Sequence, residues 1–330
     1  MRVLARSLAA LLFVVAPLYL VPTTAEAASK TSVNEAPAFA RAEAVLKWIN
    51  GYRSAPEPKR LPDAVRAMGE FGLLRELDQA GLQVGFIAGV LSTNPDTAPR
   101  LIAQMFPMPP EDQVILIKAI AFSGLSNWRQ VLSAFAERMP ARQVLIDKYL
   151  FGDGKTLFEL PLDEGSFVLD SHWGYYFGSG SEAAVGRIVS ALAWMSEGDS
   201  VDKLTIAAMA KWTLATNATR DKDLLDSLKG QMNVQESEIA RVHLRDVILA
   251  AETFETAKIR RDAVAAIDQL KARGPQSARN YAWWGQAGQT VLALGCVAAS
   301  AMGQVQLGIP CVVGGAVSTA ALKYLAPTTP

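Results

Sequence analysis

The sequence predicts an all-α protein: an array of short antiparallel helix pairs, closed by an apolar C-terminal helical hairpin. Three observations carry this reading. Apolar residues recur three and four positions apart along nearly the whole chain, the spacing that lines one face of a helix. Alternating apolar and polar runs, the mark of half-buried strands, are scarce. Proline and glycine fall where helices would begin and end, proline at a first turn and glycine just past a last one.

The chain opens as a secretory leader. Arg2 and Arg6 precede the apolar run 8–21, and Ala25-Glu26-Ala27 supplies a small-x-small cleavage site. Pro17, Pro22 and the shortness of the run argue against a permanent membrane helix. The mature protein is therefore expected to start near Ala28 and to act outside the cytoplasm.

In the region 29–150, Pro37 opens a predicted helix carrying Phe39, Ala42, Val45, Leu46 and Ile49, and Gly51 closes it. Pro62-Asp63 opens the next. Gly81, Gly85 and Gly89, four apart among Phe86, Ile87, Val90 and Leu91, form a smooth strip on a helix where another backbone can approach closely. The nearby Asp78 and Gln79 favour close packing inside a bundle over a membrane span. Asn94-Pro95-Asp96 breaks one helix, and the stretch from Pro107 to Pro110 separates two more. Ser126 is positioned to cap the segment with Trp128, Val131, Leu132 and Phe135, and Pro140 starts 141–150.

The stretch 151–165, rich in Gly, Asp and Pro, is the best place for a boundary, or equally a loop in one continuous body. Helices are predicted beyond it, in the region 166–285, at 167–177, 181–196, 200–217, 221–231 and 235–273, the last bent or broken within. Successive pairs of this size resemble a degenerate helical repeat, but no strict period exists, so an irregular bundle stays open beside it.

In the final region, 286–330, residues 287–325 carry one formal charge, Lys323. They divide around 303–308 into two apolar arms, with Pro310 fitting the start of the second. Cys296 and Cys311 lie on opposite arms, where a fold-back could bring them within range of a disulfide in an oxidising compartment; the alternative is two buried, inert thiols. The hairpin either closes the end of the helical array or enters a membrane, its arms being at the short edge of a span.

Composition limits the function. The chain carries 32 Lys plus Arg against 32 Asp plus Glu, and no basic run interleaved with aromatics, so nothing favours nucleic acid. A 50% hydrophobic and 19% charged content belongs to a folded protein. Two separate histidines, His172 and His243, offer no zinc spacing. Residues 151–156 approach a phosphate loop, but Tyr149 stands where the motif needs glycine. No cofactor and no metal is expected.

The most pointed segment is Leu169-Asp170-Ser171-His172-Trp173-Gly174-Tyr175-Tyr176-Phe177. Three consecutive helical residues point about 100° apart, so Asp170, Ser171 and His172 cannot by themselves form a catalytic triad. One reading is a packed amphipathic helix, with Leu169, Trp173, Tyr176 and Phe177 inward and His172 and Tyr175 flanking. The other is a groove in which Asp170, His172, Trp173, Tyr175 and Tyr176 hold a sugar or peptide. Asp163, Glu164 and Asp170 are the carboxylates to test for an acid pair. His243, beside an apolar stripe, reads as a boundary residue.

The stretches Met105-Phe106-Pro107-Met108-Pro109-Pro110-Glu111-Asp112, Trp173-Gly174-Tyr175-Tyr176-Phe177 and Met209-Ala210-Lys211-Trp212-Thr213-Leu214-Ala215-Thr216-Asn217 give the middle third a further meaning. There the chain resembles a group of uncharacterised, exported, helix-rich bacterial proteins. The resemblance implies an exported helical protein and brings no activity, cofactor or catalytic residue with it. The expectation is a non-catalytic binding or scaffold protein of the cell envelope that meets a protein or envelope component. Its alternatives are an envelope hydrolase acting on cell-wall sugar or peptide through 163–177, and a component anchored in the membrane by residues 287–325.

Overall fold

A computed structural model describes residues 39–196, 200–259, 261, 262 and 265. The leader, Cys296 with Cys311, and the apolar segment 287–325 lie outside the described residues. Within them the chain is all-α, with no strand.

The first helix, α1 (Ala42–Gly51), turns Val45, Leu46 and Ile49 inward, and Phe39 just before it meets the Trp48 ring edge-on at 5.5 Å. α2 (Leu61–Glu70) begins with Pro62 in its first turn, where a missing N–H costs nothing, and buries Leu61, Val65 and Met68. α3 (Gly81–Ser92) has no polar face, because every residue from Gly81 to Leu91 is buried. The short α4 (Ala98–Gln104) leads to α5 (Gln113–Phe122), also buried along most of its length. α6 (Trp128–Phe135) starts after Asn127 and has no side-chain cap, so Ser126 does not play the capping role expected of it. Pro140 opens a 3-10 turn (Pro140–Arg142), and α7 (Gln143–Leu150) follows.

Residues 151–165 contribute two 3-10 turns, Leu157–Glu159 and Leu162–Glu164, and end at Gly165, whose φ of 133° suits glycine alone. α8 (Ser166–Ser179) follows, closed by Gly180 in the left-handed conformation. α9 (Glu182–Ser190), α10 (Val201–Ala218), α11 (Lys222–Val234) and α12 (Glu238–Thr253) start behind Ser181, Ser200, Asp221 and Ser237, each of which accepts a backbone N–H in the first turn. The long helix expected over 235–273 is broken at Phe254, which takes φ 59° and ends α12.

The most extensive contact in the fold joins α3 to α8. A Cβ placed on Gly81, Gly85 or Gly89 would lie 2.4, 1.9 or 2.6 Å from the carbonyl oxygens of Phe167, Ser171 and Tyr175. From the other side, one on Gly174 or Gly178 would lie 2.0 or 2.6 Å from those of Leu82 and Phe86. The two backbones therefore touch without intervening side chains. Partners advance together along both helices, so the pair is parallel.

The central partners run the same way and come from opposite sides of 151–165, a pairing that the expected array of antiparallel neighbours does not include. That stretch is a connection within one core, because α8 from beyond it packs against α3 from before it. The remaining helices surround the pair, burying Phe86, Trp173, Leu46, Ile49 and Met68 among others. Each such side chain contributes about 1.5–3 kcal/mol by leaving water.

Candidate functional site

α8 carries the residues singled out from sequence, and it is buried on every side from Val168 to Gly178. The segment packs with Leu169, Trp173, Tyr176 and Phe177 inward, as one reading expects; His172 and Tyr175, expected to flank that face, are buried too, and no groove opens over the five candidate residues. Asp170 is 5% exposed, His172 and Trp173 are 0%, Tyr175 is 6% and Tyr176 is 3%. α3 covers the face with Ser171, Gly174 and Gly178, while α10, α9, α1 and the 3-10 turns cover the other sides.

The interior positions divide around the helix. Trp173 stacks on Phe177 with ring centroids 5.8 Å apart, and its indole N–H donates to Thr213 Oγ1 of α10 at 3.0 Å. Tyr175 Oη lies 2.8 Å from Ser92 Oγ and donates to the Ser123 carbonyl at 3.2 Å. These bonds satisfy two polar tips that would otherwise be costly in the core.

His172 and Asp170 have no such partners. Both ring nitrogens of His172 and Oδ1 of Asp170 are buried without a hydrogen bond. Burial, then the positive charge of Arg187, lowers His172 from 6.5 to about 3, so the imidazole is neutral. Burial alone pushes the Asp170 carboxyl well above the usual carboxylate range. Two residues apart on a helix, they point about 200° apart and cannot act on one proton.

Over His172 sits Phe158, its ring 5.2 Å from the imidazole and 5.5 Å from Tyr175. A capping box fixes that turn: the Thr156 N–H and hydroxyl both donate to the Glu159 carboxylate, at 2.7 and 2.8 Å. Those bonds hold Glu159 below its ordinary pKa. Asp163 and Glu164 are exposed, and Glu164 lies 3.9 Å from the Lys155 amine. The three carboxylates thus do not converge with the histidine.

Two polar clusters escaped the sequence reading. Arg53, after α1, donates to both oxygens of Asp221 at 2.7 and 2.8 Å and to Asp223 at 3.3 Å. Its guanidinium stands 5.0 Å from the centre of the Tyr176 ring, whose hydroxyl donates to Asp221 at 2.8 Å. Asp221 also caps α11 through the Leu224 N–H. Burial, reinforced by Asp221, raises the Tyr176 pKa. The cap was legible as an Asp before a helix; Arg53 gave no local signal.

The second cluster joins α10 to α12. Lys211, only 9% exposed, places Nζ 3.0 Å from His243 Nδ1 and donates to Asp246 at 2.8 Å. A lysine ammonium only donates, so Nδ1 must accept and His243 is neutral. Burial and then the Lys211 charge lower the His243 pKa accordingly. His243 was expected at a boundary and lies at one; the i,i+3 spacing to Asp246 was the available sign of its partner.

The described surface carries a different kind of feature. Val144, in the first turn of α7, is 87% exposed, and Phe151, the residue that follows its last turn, is 83% exposed. On α12, Ile239, Val242 and Leu249 are exposed along one line, with Phe254 at its end.

Among the described residues no group of three or more His, Cys, Asp and Glu could hold a metal ion, and no helix is long and apolar enough to cross a membrane. Comparison with protein-family models, with curated proteins and with solved structures finds no match to this chain.

Proposed function

We propose that this is an exported helical binding or scaffold protein of the cell envelope that meets a protein or envelope component without catalysis. One observation carries the reading: the histidine and carboxylate singled out for chemistry are interior, while a few large apolar side chains are left outward. His172 and Asp170 are sealed in the core, whereas Val144 in the first turn of α7 and Phe151 just after its last stand almost fully in water. Isolated exposed apolar residues are ordinary, but two large ones at the two ends of one short helix suit a partner contact. The leader pattern and the resemblance to exported helix-rich proteins support the compartment.

A photoreactive phenylalanine analogue at Phe151, in cells making the full chain, tests this. A discrete adduct is expected, absent when Val144 is changed to Asp and absent from the same probe at the exposed Glu137. No adduct at Phe151 would sink the partner face. Turnover of cell-wall fragments that vanished in a folded His172→Ala variant would instead revive the hydrolase. The membrane-anchored alternative rests on 287–325; retention of the protein in carbonate-washed membranes would favour it.

A further inference from the structure

We propose that the outer face of α12 is a self-association surface, occupied by α12 of a second copy of this chain packed antiparallel. The twofold axis passes between Arg245 and Asp246. The helix has two apolar faces. Ala240, Leu244, Val247, Ala250 and Ala251 face the core, while Ile239, Val242 and Leu249 face out at 39, 42 and 58% exposure. The outward set, with Asp246 between, follows the three-and-four spacing of a helix-to-helix seam.

The charges make this seam self-complementary. Arg245 and Asp246 are exposed at its middle, and Arg245 has no ion-pair partner among the described residues. Asp246 gives Oδ2 to Lys211 and stays half-exposed. About the proposed axis, Arg245 of each copy faces Asp246 of the other, so one contact is made twice. Val242 then faces Leu249 of the second copy, and Ile239 lies one turn away beside the same leucine. Two apolar clusters flank a central set of four alternating charges.

A parallel pairing would set Arg245 against Arg245 and is disfavoured. A single 16-residue helix covers well under the roughly 800 Å² per partner of a stable complex, so the dimer is weak and reversible. It is independent of the α7 face.

Sedimentation equilibrium on the mature chain over a concentration series tests the proposal. The wild type should move from monomer to dimer and no further. Arg245→Asp and Leu249→Asp should each weaken dimerisation at least tenfold. Arg245→Asp mixed with Asp246→Arg should restore it, because each then meets the opposite charge. Should Asp246→Arg fail to fold by circular dichroism, the other two variants still decide. A chain monomeric to about 1 mM, or a dimer indifferent to Arg245→Asp and Leu249→Asp, overturns the proposal. A monomer would leave the α7 partner face standing, since the photoreactive probe reads that separately.

Discussion

The α3–α8 pair and the α10–α12 pair solve one problem, holding two helices together, by opposite means. The first brings backbone against backbone, with glycines on both sides and nothing that can move. The second joins through side chains: a nearly buried lysine, a histidine and a half-exposed aspartate. Backbone contact gains dispersion over the whole length and tolerates no added atom. A side-chain joint can adjust a rotamer, admit water or take up a proton. Mutational sensitivity should therefore be steep at the centre and shallow toward the surface.

The largest effect should come from Gly85→Ala. The added methyl carbon would sit 1.9 Å from the Ser171 carbonyl oxygen, and a backbone atom inside a helix cannot step aside. Alanine's helix preference, at most about 1 kcal/mol, runs the other way and is overwhelmed. We expect a loss of roughly 5 kcal/mol or more, enough to leave much of the chain unfolded by urea titration and circular dichroism. A cooperative, near wild-type transition would show that the two helices are not in backbone contact.

Next comes the buried histidine. His172 titrates near 6.5 when unfolded and at about 3 when folded, so between these pH values only the unfolded chain takes up the proton. Stability is therefore intact above about pH 6.5 and falls as the pH drops toward 3, by about 4–5 kcal/mol from this residue. His172→Leu should flatten that acid limb in urea titrations across pH. Asp170 has the opposite sign: its folded pKa is raised, so its contribution is lost as pH rises above about 4. Asp170→Asn should thus stabilise the protein at pH 7 and do little at pH 3. An unchanged acid limb in His172→Leu would mean the imidazole is not sealed from protons.

Smaller again is the clasp around Asp221, which holds Arg53, Tyr176 and the first turn of α11 together. Asp221→Ala removes a cap and a partly buried partner, and we expect about 2 kcal/mol after allowing for solvent screening. Asp246→Ala, at a half-exposed carboxylate of the α10–α12 joint, should cost less than about 1 kcal/mol. Equal losses would erase the distinction between clasp and joint.

These contrasts explain what could be read from the amino-acid order. Helix type and most helix limits were legible because they rest on local signals. Ser181, Ser200 and Asp221 cap, Gly180 stops α8, and the three-and-four spacing runs between. The strip Gly81, Gly85 and Gly89 announced a close backbone approach. Its partner was hidden, because Gly174 and Gly178 sit some ninety residues on, in a segment that also carries the polar Asp170, Ser171 and His172. Polar residues normally mark solvent; here they are enclosed because elements distant in sequence cover α8 on every side, Phe158 over His172 among them. Arg53 and Asp221, 168 residues apart, were equally silent, since ion pairing over such distances has no period.

The smallest prediction reverses the sign of the first, and so tests the comparison most sharply. Gly230 lies in the interior of α11, exposed, and a Cβ there would meet nothing within 4 Å. The same Gly→Ala change that should unfold the protein at Gly85 should stabilise it at Gly230, by about 0.5–1 kcal/mol. Alanine lowers the entropy of the unfolded chain and suits the helix, and no contact opposes it. The urea midpoint should rise with an unchanged slope. A loss of stability at Gly230 would mean that this face of α11 is covered by something in solution, and the search for a partner would then move there from α7.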